Sequence, residues 1–216
     1  GHSMEIQIIR PQEIEARSMA IIQEELERLG ELPPADRLPV IKRVIHTTAD
    51  FDYRENLWFS DGAVQAGIQA LRDGAWVVTD TNMARAGVNR SALERQGGRA
   101  LCFMAEEEIA QAAKERGETR AALSMEAAAA LDTGGAPLIL AVGNAPTALI
   151  RAVELMGEGK LSPALLVAAP VGFVNVLESK VMAETAPCPR IIARGRKGGS
   201  TVAAAILNAL LYQAQA

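Results

Sequence analysis

The sequence is poor in histidine, and this shortage narrows the chemistry that it can perform. Its 216 residues include two histidines. One of them, His2, stands in the opening Gly1-His2-Ser3-Met4, which is typical of an expression-tag remnant followed by the start methionine, and we set this tetrad apart. His46 is then the one native side chain of a type that ordinarily titrates near neutrality. A single imidazole excludes a multi-histidine metal site, and the sequence has no GxSxG elbow of a serine hydrolase.

Cysteine, basic charge and long apolar runs are also scarce. Cys102 and Cys188 are far apart and in no metal-binding spacing, so we expect neither a disulfide nor a zinc site. Lys and Arg number 22 against 26 Asp and Glu, which argues against a nucleic-acid partner. No apolar run is long enough to cross a bilayer, so we predict a cytoplasmic protein with no membrane partner. Phosphate-loop and dinucleotide fingerprints are absent, and we expect no cofactor and no bound metal.

Short apolar runs alternate with helical segments along most of the chain. Apolar strands that are separated by helices indicate a mostly parallel sheet covered on both faces. We therefore predict a three-layer α/β/α fold with five strands, in a single domain over residues 5–214. The predicted strands are 75–79, 100–104, 138–142, 164–168 and 190–193; the predicted helices are 11–29, 36–48, 62–71, 106–116, 120–131, 147–156, 176–184 and 201–212.

Polar turns follow the predicted strands. In parallel sheets ligands bind at the carboxyl ends of the strands, and each of these turns leads into a helix whose first N–H groups favour anions. The last turn adds three cationic side chains. The pattern predicts a site for a multiply anionic ligand. The turns are 80–83, 143–147, 170–175 and 194–200.

The segment around His46 carries the other candidate chemistry. Arg43 and His46 lie one turn apart on a flank of the second predicted helix, where an arginine can hold a carboxylate beside a proton-transfer group. An ordinary solvated arginine and a histidine at a helix end would show the same spacing. Four of the eight aromatic residues follow closely, and they indicate either a pocket for a wide ring or plain core or dimer contacts. They are Phe51, Tyr53, Trp58 and Phe59.

The first predicted helix contributes one more candidate residue. Ser18 lies on the apolar face of that helix, which has Ile14, Ile21, Ile22 and Leu29. Its hydroxyl either bonds back to the backbone of its own helix or looks into a site.

Segments spread over nearly the whole chain resemble the precorrin-8X methylmutases, the precorrin isomerases of corrin-ring (cobalamin) biosynthesis. These segments are Arg17-Ser18 with Ala20-Ile21-Ile22, Arg43-Val44-Ile45-His46, Asp80-Thr81-Asn82-Met83 with Gly87-Val88, Thr119-Arg120, Val142-Gly143-Asn144-Ala145-Pro146-Thr147-Ala148-Leu149, Pro170-Val171-Gly172-Phe173-Val174 with Glu178-Ser179-Lys180, and Arg194-Gly195-Arg196 with Gly198-Gly199-Ser200.

The resemblance implies a flavodoxin-like fold, a homodimer, no cofactor, and one reaction. In that reaction a methyl group migrates between neighbouring carbons of a contracted tetrapyrrole, so that precorrin-8X becomes hydrogenobyrinic acid or cobalt-precorrin-8 becomes cobyrinic acid. The residue matching His46 is the proton donor and acceptor of the family. The residues matching Ser18 and Arg43 contact substrate, and the one matching Arg120 reaches the site from the partner subunit.

We accordingly predict one catalytic residue and a set of substrate contacts. The catalytic residue is His46. Two other interpretations stay open from the sequence: a carrier that holds a corrinoid without chemistry, and a nucleotide-binding flavodoxin-like protein. The predicted substrate contacts are Ser18, Arg43, Asp80, Asn82, Met83, Thr119, Arg120, Gly143, Asn144, Ala145, Arg196, Gly198 and Ser200.

Overall fold

Parallel strands make up most of the sheet in the computed structural model of the protein, which describes residues 5–216. The tag-like residues 1–4 lie outside the described residues. The strands are β1 (Leu57–Phe59), β2 (Trp76–Thr79), β3 (Arg99–Cys102), β4 (Leu138–Val142), β5 (Leu165–Ala168) and β6 (Arg190–Ala193). They form one sheet with the order β1-β6-β5-β4-β2-β3.

The predicted α/β class is confirmed, but the predicted number of strands was wrong. All five predicted strands are present and parallel, and a sixth, β1, pairs antiparallel with β6 at the edge. The prediction missed β1 because it has only three residues, shorter than the apolar runs that indicate a strand. Two of the three are aromatic residues, Trp58 and Phe59, which the prediction assigned to a pocket or contact cluster.

The order of the parallel strands indicates where a ligand crevice is expected. Counted along the chain, the five parallel strands are arranged 2-1-3-4-5, the doubly wound order that flavodoxin also has. The order reverses between β2 and β4. In such sheets ligands bind at this switch point, outside the carboxyl ends of the strands. The turns after β2 and β4 are therefore the expected centre of a site.

Two helical layers cover the sheet. Helices α1, α2, α4 and α11 pack on one face, the first layer, and α8, α9 and α10 on the other, the second layer. Neighbouring strand residues alternate between the layers: Val77 packs in the first and Val78 in the second. Burial on both faces explains why the strands are continuously apolar. The helices are α1 (Ile14–Leu29), α2 (Leu38–Thr48), α3 (Tyr53–Asn56), α4 (Ala63–Arg72), α5 (Asn82–Gly87), α6 (Arg90–Arg95), α7 (Glu107–Arg116), α8 (Arg120–Ala129), α9 (Pro146–Gly157), α10 (Val176–Glu184) and α11 (Ser200–Gln215).

Several helices differ from the prediction. The short helices α3, α5 and α6 were not predicted, because four to six residues carry no helical periodicity. The predicted first helix begins with a 3₁₀ turn at Pro11–Glu13. Its predicted apolar face lies mostly at the surface, since only Ile22 of the four residues is buried and the buried side continues through Leu26. No helix in residues 5–216 has the length and hydropathy to span a membrane.

No side chain of the described residues caps the start of α4. The residue before α4, Gly62, offers no side chain to cap it. The hydroxyl of Ser60 instead accepts the backbone N–H of Arg190 at 2.9 Å. Ser60 therefore supports the pairing of β1 with β6 rather than the start of the helix.

Two glycines allow the turns at the carboxyl edge to pack against each other. A Cβ at Gly198 would lie 2.4 Å from the carbonyl oxygen of Ala169 and 2.6 Å from that of Pro170. A Cβ at Gly143 would lie 2.7 Å from the Cα of Ser200. All of these neighbours are backbone atoms, which cannot move aside as a side chain can. The turn after β6 thus lies directly on the turns after β4 and β5.

We expect Gly198→Ala to destabilise the protein by about 2 kcal/mol through overpacking, a fall in melting temperature of roughly 4–8 °C for a chain of this size. Gly157→Ala is the matched control, because a Cβ there meets nothing within 4 Å. Thermal unfolding of the two variants beside the unmodified protein checks this. An unchanged melting temperature for Gly198→Ala would contradict the close packing of the turns.

Candidate active site at the carboxyl edge of the sheet

A buried carboxylate spans the switch point. Asp80 follows β2 and is fully buried. Its two oxygens accept the backbone N–H groups of Gly143 at 2.7 Å, Asn144 at 3.0 Å and Ala145 at 2.8 Å. Burial raises the pKa of Asp80, and the three N–H donors oppose that rise. Asp80 therefore fixes the turn after β4, and a ligand at this edge would meet the turn rather than the carboxylate.

Hydroxyl groups join the first turns of the neighbouring helices. Thr81 accepts the N–H of Ala84 at 3.0 Å, which caps α5, and its hydroxyl lies 2.7 Å from that of Ser200 at the start of α11. Asn82 and Met83, in the first turn of α5, are exposed. The starts of α5, α9 and α11 therefore meet around the crevice. The long helix α11 begins here at Ser200, and the first backbone N–H groups of such a helix favour anionic ligands.

Lysines hold the turn after β6 from two sides. Lys180 on α10 is only 3% exposed, and its Nζ donates to the carbonyl oxygens of Gly195 at 2.5 Å and Lys197 at 2.9 Å. Burial lowers the pKa of Lys180 to about 8. The Nζ of Lys197 lies 2.7 Å from carboxylate oxygens of both Asp50 and Asp52. These hydrogen bonds raise the pKa of Lys197, so the ion pairs persist well above neutral pH.

The remaining cations of this turn differ in their partners. Arg194 pairs with Glu184 at 3.0 Å, and its guanidinium lies 5.2 Å from the ring centroid of Trp58. Arg196 is exposed, and its side chain makes no ion pair in the part of the chain that the structure describes. Its guanidinium lies 5.7 Å from the ring centroid of Phe173. Arg196 is therefore the cation of this turn that is open to an anionic ligand.

The structure brings three predicted site residues together where α1 meets α2. His46 is exposed in the last turn of α2, which ends at Ala49 in a left-handed conformation (φ 56°). Arg43, one turn earlier, has its Nη1 2.5 Å from Oε1 of Glu15 on α1. Ser18 lies one turn after Glu15 on the side of α1 that faces α2. Among residues 5–216 its hydroxyl makes no hydrogen bond, so the predicted alternative of a bond back to its own helix is not formed.

The chain path carries His46 to the same edge as the crevice. Strand β1 runs antiparallel to β6, with Leu57 opposite Ala193 at the carboxyl end of β6. The segment between α2 and β1 therefore lies at the carboxyl edge. Asp50, four residues after His46, is also tied there by Lys197.

Thr119 and Arg120 lie in the other helical layer. Thr119 caps α8 by accepting the N–H of Ala122 at 3.1 Å and donates to the hydroxyl of Thr147 at 2.9 Å, which ties α8 to α9. Arg120 is exposed and makes no ion pair among the residues that the structure describes. Within one chain, Arg120 is therefore on the far side of the sheet from Arg43 and His46.

Large apolar side chains are exposed at this edge, and two of them, Phe173 and Val174, were not among the predicted site residues. Phe173 and Val174, after β5, are 79% and 81% exposed, and Met83 after β2 is also exposed. A signal was present: two large apolar residues stand inside a turn between Gly172 (φ 121°) and Asn175 (φ 62°), where a buried side chain is not expected. The edge thus combines apolar surface with cations.

The aromatic cluster after His46 serves mainly the core. Tyr53 and Phe59 are buried, and Phe51 packs against the same core cluster. Trp58 is half-buried and lines an open cavity of about 700 Å³ with Cys188 and Arg190, which begins β6. That cavity is therefore at the amino edge, away from the crevice. In residues 5–216 no three His, Cys, Asp or Glu side chains are grouped as metal ligands.

Known proteins match this chain over nearly its full length. Residues 13–213 match the family model of precorrin-8X methylmutase (CbiC). The cobalt-precorrin-8 methylmutase of Priestia megaterium is 41% identical over 94% of this chain and 88% of its own length. The precorrin-8X methylmutase of Pseudomonas aeruginosa is 40% identical over 92% of this chain and 94% of its own.

A solved structure agrees with these matches. The crystal structure of the precorrin-8X methylmutase of Thermus thermophilus superposes with a TM-score of 0.82 at 39% identity, over 94% of this chain and 98% of that one. The predicted resemblance is confirmed by the family model and by these relatives. The chain therefore belongs to the precorrin-8X methylmutase family, and it is an isomerase that transfers a methyl group within one molecule.

Proposed function

We propose that the protein, as a single domain over residues 5–214, converts precorrin-8X to hydrogenobyrinic acid or cobalt-precorrin-8 to cobyrinic acid in the cytoplasm. The observation that carries the proposal is the carboxyl edge of the sheet, where helix N-termini, open arginines and exposed apolar side chains meet in a chain of this family. Relatives named for each form match this chain at similar identity, so both forms of the ring enter the test.

The open groups suit a flat ring that carries many carboxylates. Arg43 gives one of its three nitrogens to Glu15, and its Nε and Nη2 have no partner among the residues that the structure describes. Arg196 is open beside Phe173. A guanidinium binds carboxylates with two parallel hydrogen bonds, and Phe173, Val174 and Met83 offer apolar surface to the face of a macrocycle.

His46 is the proposed proton donor and acceptor. The imidazole gives a proton to the ring, the methyl group migrates, and the imidazole takes a proton back, so the reaction has no net proton change. Arg43 one turn before it would hold a substrate carboxylate and place the ring over the imidazole. The exposure of His46 supports this role, because the ring can reach it without rearrangement of the helix.

A second copy of the chain would complete the site. Arg120 lies in the second layer with no ion pair in the described chain, and Arg43 and His46 lie with the first layer. A twofold homodimer brings a residue of one subunit to the site of the other in both sites at once. We therefore propose a homodimer in which Arg120 contacts the substrate of the partner subunit.

The reaction itself is tested by an absorbance time course with metal-free precorrin-8X and, in parallel, its cobalt form. The methyl shift changes the conjugation of the ring, so we expect turnover to appear as a change in the spectrum. Faster conversion of one form would identify the natural substrate. Binding of both forms without spectral conversion would contradict the isomerase and identify a tetrapyrrole carrier instead.

We expect His46→Ala to lower kcat by about 10²–10⁴-fold, the usual contribution of a positioned acid or base, and to keep ring binding within about threefold, because the cations remain. Thr47→Ala is the matched control, since Thr47 is the next residue, is exposed and makes no side-chain hydrogen bond in residues 5–216. Turnover by His46→Ala near that of Thr47→Ala would show that another group moves the proton.

The placement of Arg120 is tested by mixing two inactive variants, His46→Ala and Arg120→Ala, under conditions that exchange subunits. If Arg120 acts across the interface, each mixed dimer has one intact site, and random exchange restores roughly a quarter of the sites. If Arg120 acts in its own subunit, no site is intact and activity stays lost. A monomer by light scattering would also contradict the proposed dimer.

A further inference from the structure

Glu15 holds the arginine of the proposed site. It lies in the first turn of α1, and its Oε1 is 2.5 Å from Nη1 of Arg43. The Arg43 side chain is 22% exposed and that of Glu15 60% exposed. The contact therefore joins two helices at the rim of the site.

An aromatic ring holds the same guanidinium from another side. The Cζ of Arg43 lies 5.1 Å from the ring centroid of Tyr212, near the end of α11. A guanidinium within about 6 Å of an aromatic ring is attracted to the ring face. Arg43 thus has one contact to a carboxylate and one to a ring, supplied by two different helices. A long, flexible side chain is confined by this pair of contacts.

Two neighbouring side chains, Arg43 and His46, act on the pKa of Glu15. Its hydrogen bond with Arg43 and the charge of that residue hold the pKa of Glu15 below its usual range, and the charge of His46 adds a smaller effect in the same direction. Glu15 is therefore ionised at neutral pH.

We propose that Glu15 is a positioning residue that fixes Arg43, so that its two free nitrogens, Nε and Nη2, present a fork to one carboxylate of the substrate. This inference rests on the proposed function. Glu15 touches no reacting atom; it acts through Arg43, and Tyr212 supports the same orientation.

The opposite role for Glu15 would be that of a competitor that occupies the guanidinium until substrate displaces it. The geometry favours positioning for two reasons. A competitor for a bidentate site would use two nitrogens of the fork, whereas Glu15 uses one. The ring of Tyr212 also keeps Arg43 in place when the substrate arrives. The two roles predict opposite changes in KM.

The test compares Glu15→Gln and Glu15→Ala with the unmodified enzyme by steady-state kinetics and by titration of the ring followed by its absorbance. We expect Glu15→Ala to raise KM about tenfold with a change in kcat below about threefold, because misplacing a binding group by about an ångström has effects of this size or larger. Glu15→Gln keeps an oxygen that can accept from Arg43, so we expect a smaller rise, about threefold. The matched control is Glu25→Gln, an exposed residue of α1 with no ion pair in residues 5–216.

The remaining outcomes overturn the inference or separate it from the proposed function. A fall in KM for both Glu15 variants would show that Glu15 competes with the substrate for Arg43. KM values equal to that of Glu25→Gln would show that the ion pair between Glu15 and Arg43 has no effect on substrate binding. If the unmodified enzyme binds the ring without turnover, the proposed function fails, and weaker binding by Glu15→Ala would still support positioning. Equal binding by all variants would overturn positioning in that case too. If the unmodified protein does not bind the ring, the proposed function and the positioning role of Glu15 are both wrong.

Discussion

The buried carboxylate of Asp80 is the interaction on which the rest of the site depends. Three successive N–H groups of the turn after β4 point at its two oxygens, and a buried carboxylate has few other ways to satisfy its acceptors. The turn therefore has one conformation, and α9 begins where that turn ends. Thr81, next to Asp80, carries the constraint to α11 through Ser200. One buried side chain thus aligns the helix starts that surround the crevice.

The turn after β6 is held in a different way, by charge and close packing. Gly198 lets this turn lie on the carbonyl groups of Ala169 and Pro170, and Lys180 ties it down through two carbonyl oxygens. Burial disfavours the ammonium of Lys180, so its charged form costs folding free energy at neutral pH. In return, the turn that carries Arg196 is fixed by the hydrogen bonds of Lys180 and by the ion pairs of Lys197 with Asp50 and Asp52.

Sequence patterns predicted the frame of the protein better than its fine structure. Continuous apolar runs located all five parallel strands to within two residues, because burial on both faces leaves no polar positions. Short elements such as β1 and α5 were not predicted, because they are too short to show the repeat of apolar residues that indicates a strand or a helix. The placement of Arg43 and His46 on one flank of α2 followed from their one-turn spacing. The structural role of Asp80 did not follow from the sequence, because a polar residue after a strand has the same sequence pattern whether it meets a ligand or a neighbouring turn. The burial of Lys180 was not predicted for a related reason: the residues next to it in the sequence do not indicate that this lysine is buried.

The contrast between a rigid frame and open contact groups explains how such a site can act on a charged ring. In the free protein His46 and Arg196 are exposed, and water weakens the electrostatic interactions of exposed groups. A wide ligand that covers them would expel this water, so their effect on the substrate would grow only once the ring is in place. Exposed charged side chains therefore need contacts with the surrounding protein that fix their position, since solvated side chains are otherwise mobile. Asp80 fixes the turn after β4, Lys180 the turn after β6, and Glu15 contacts Arg43. The bound ring would then exclude water from the groups that these contacts position.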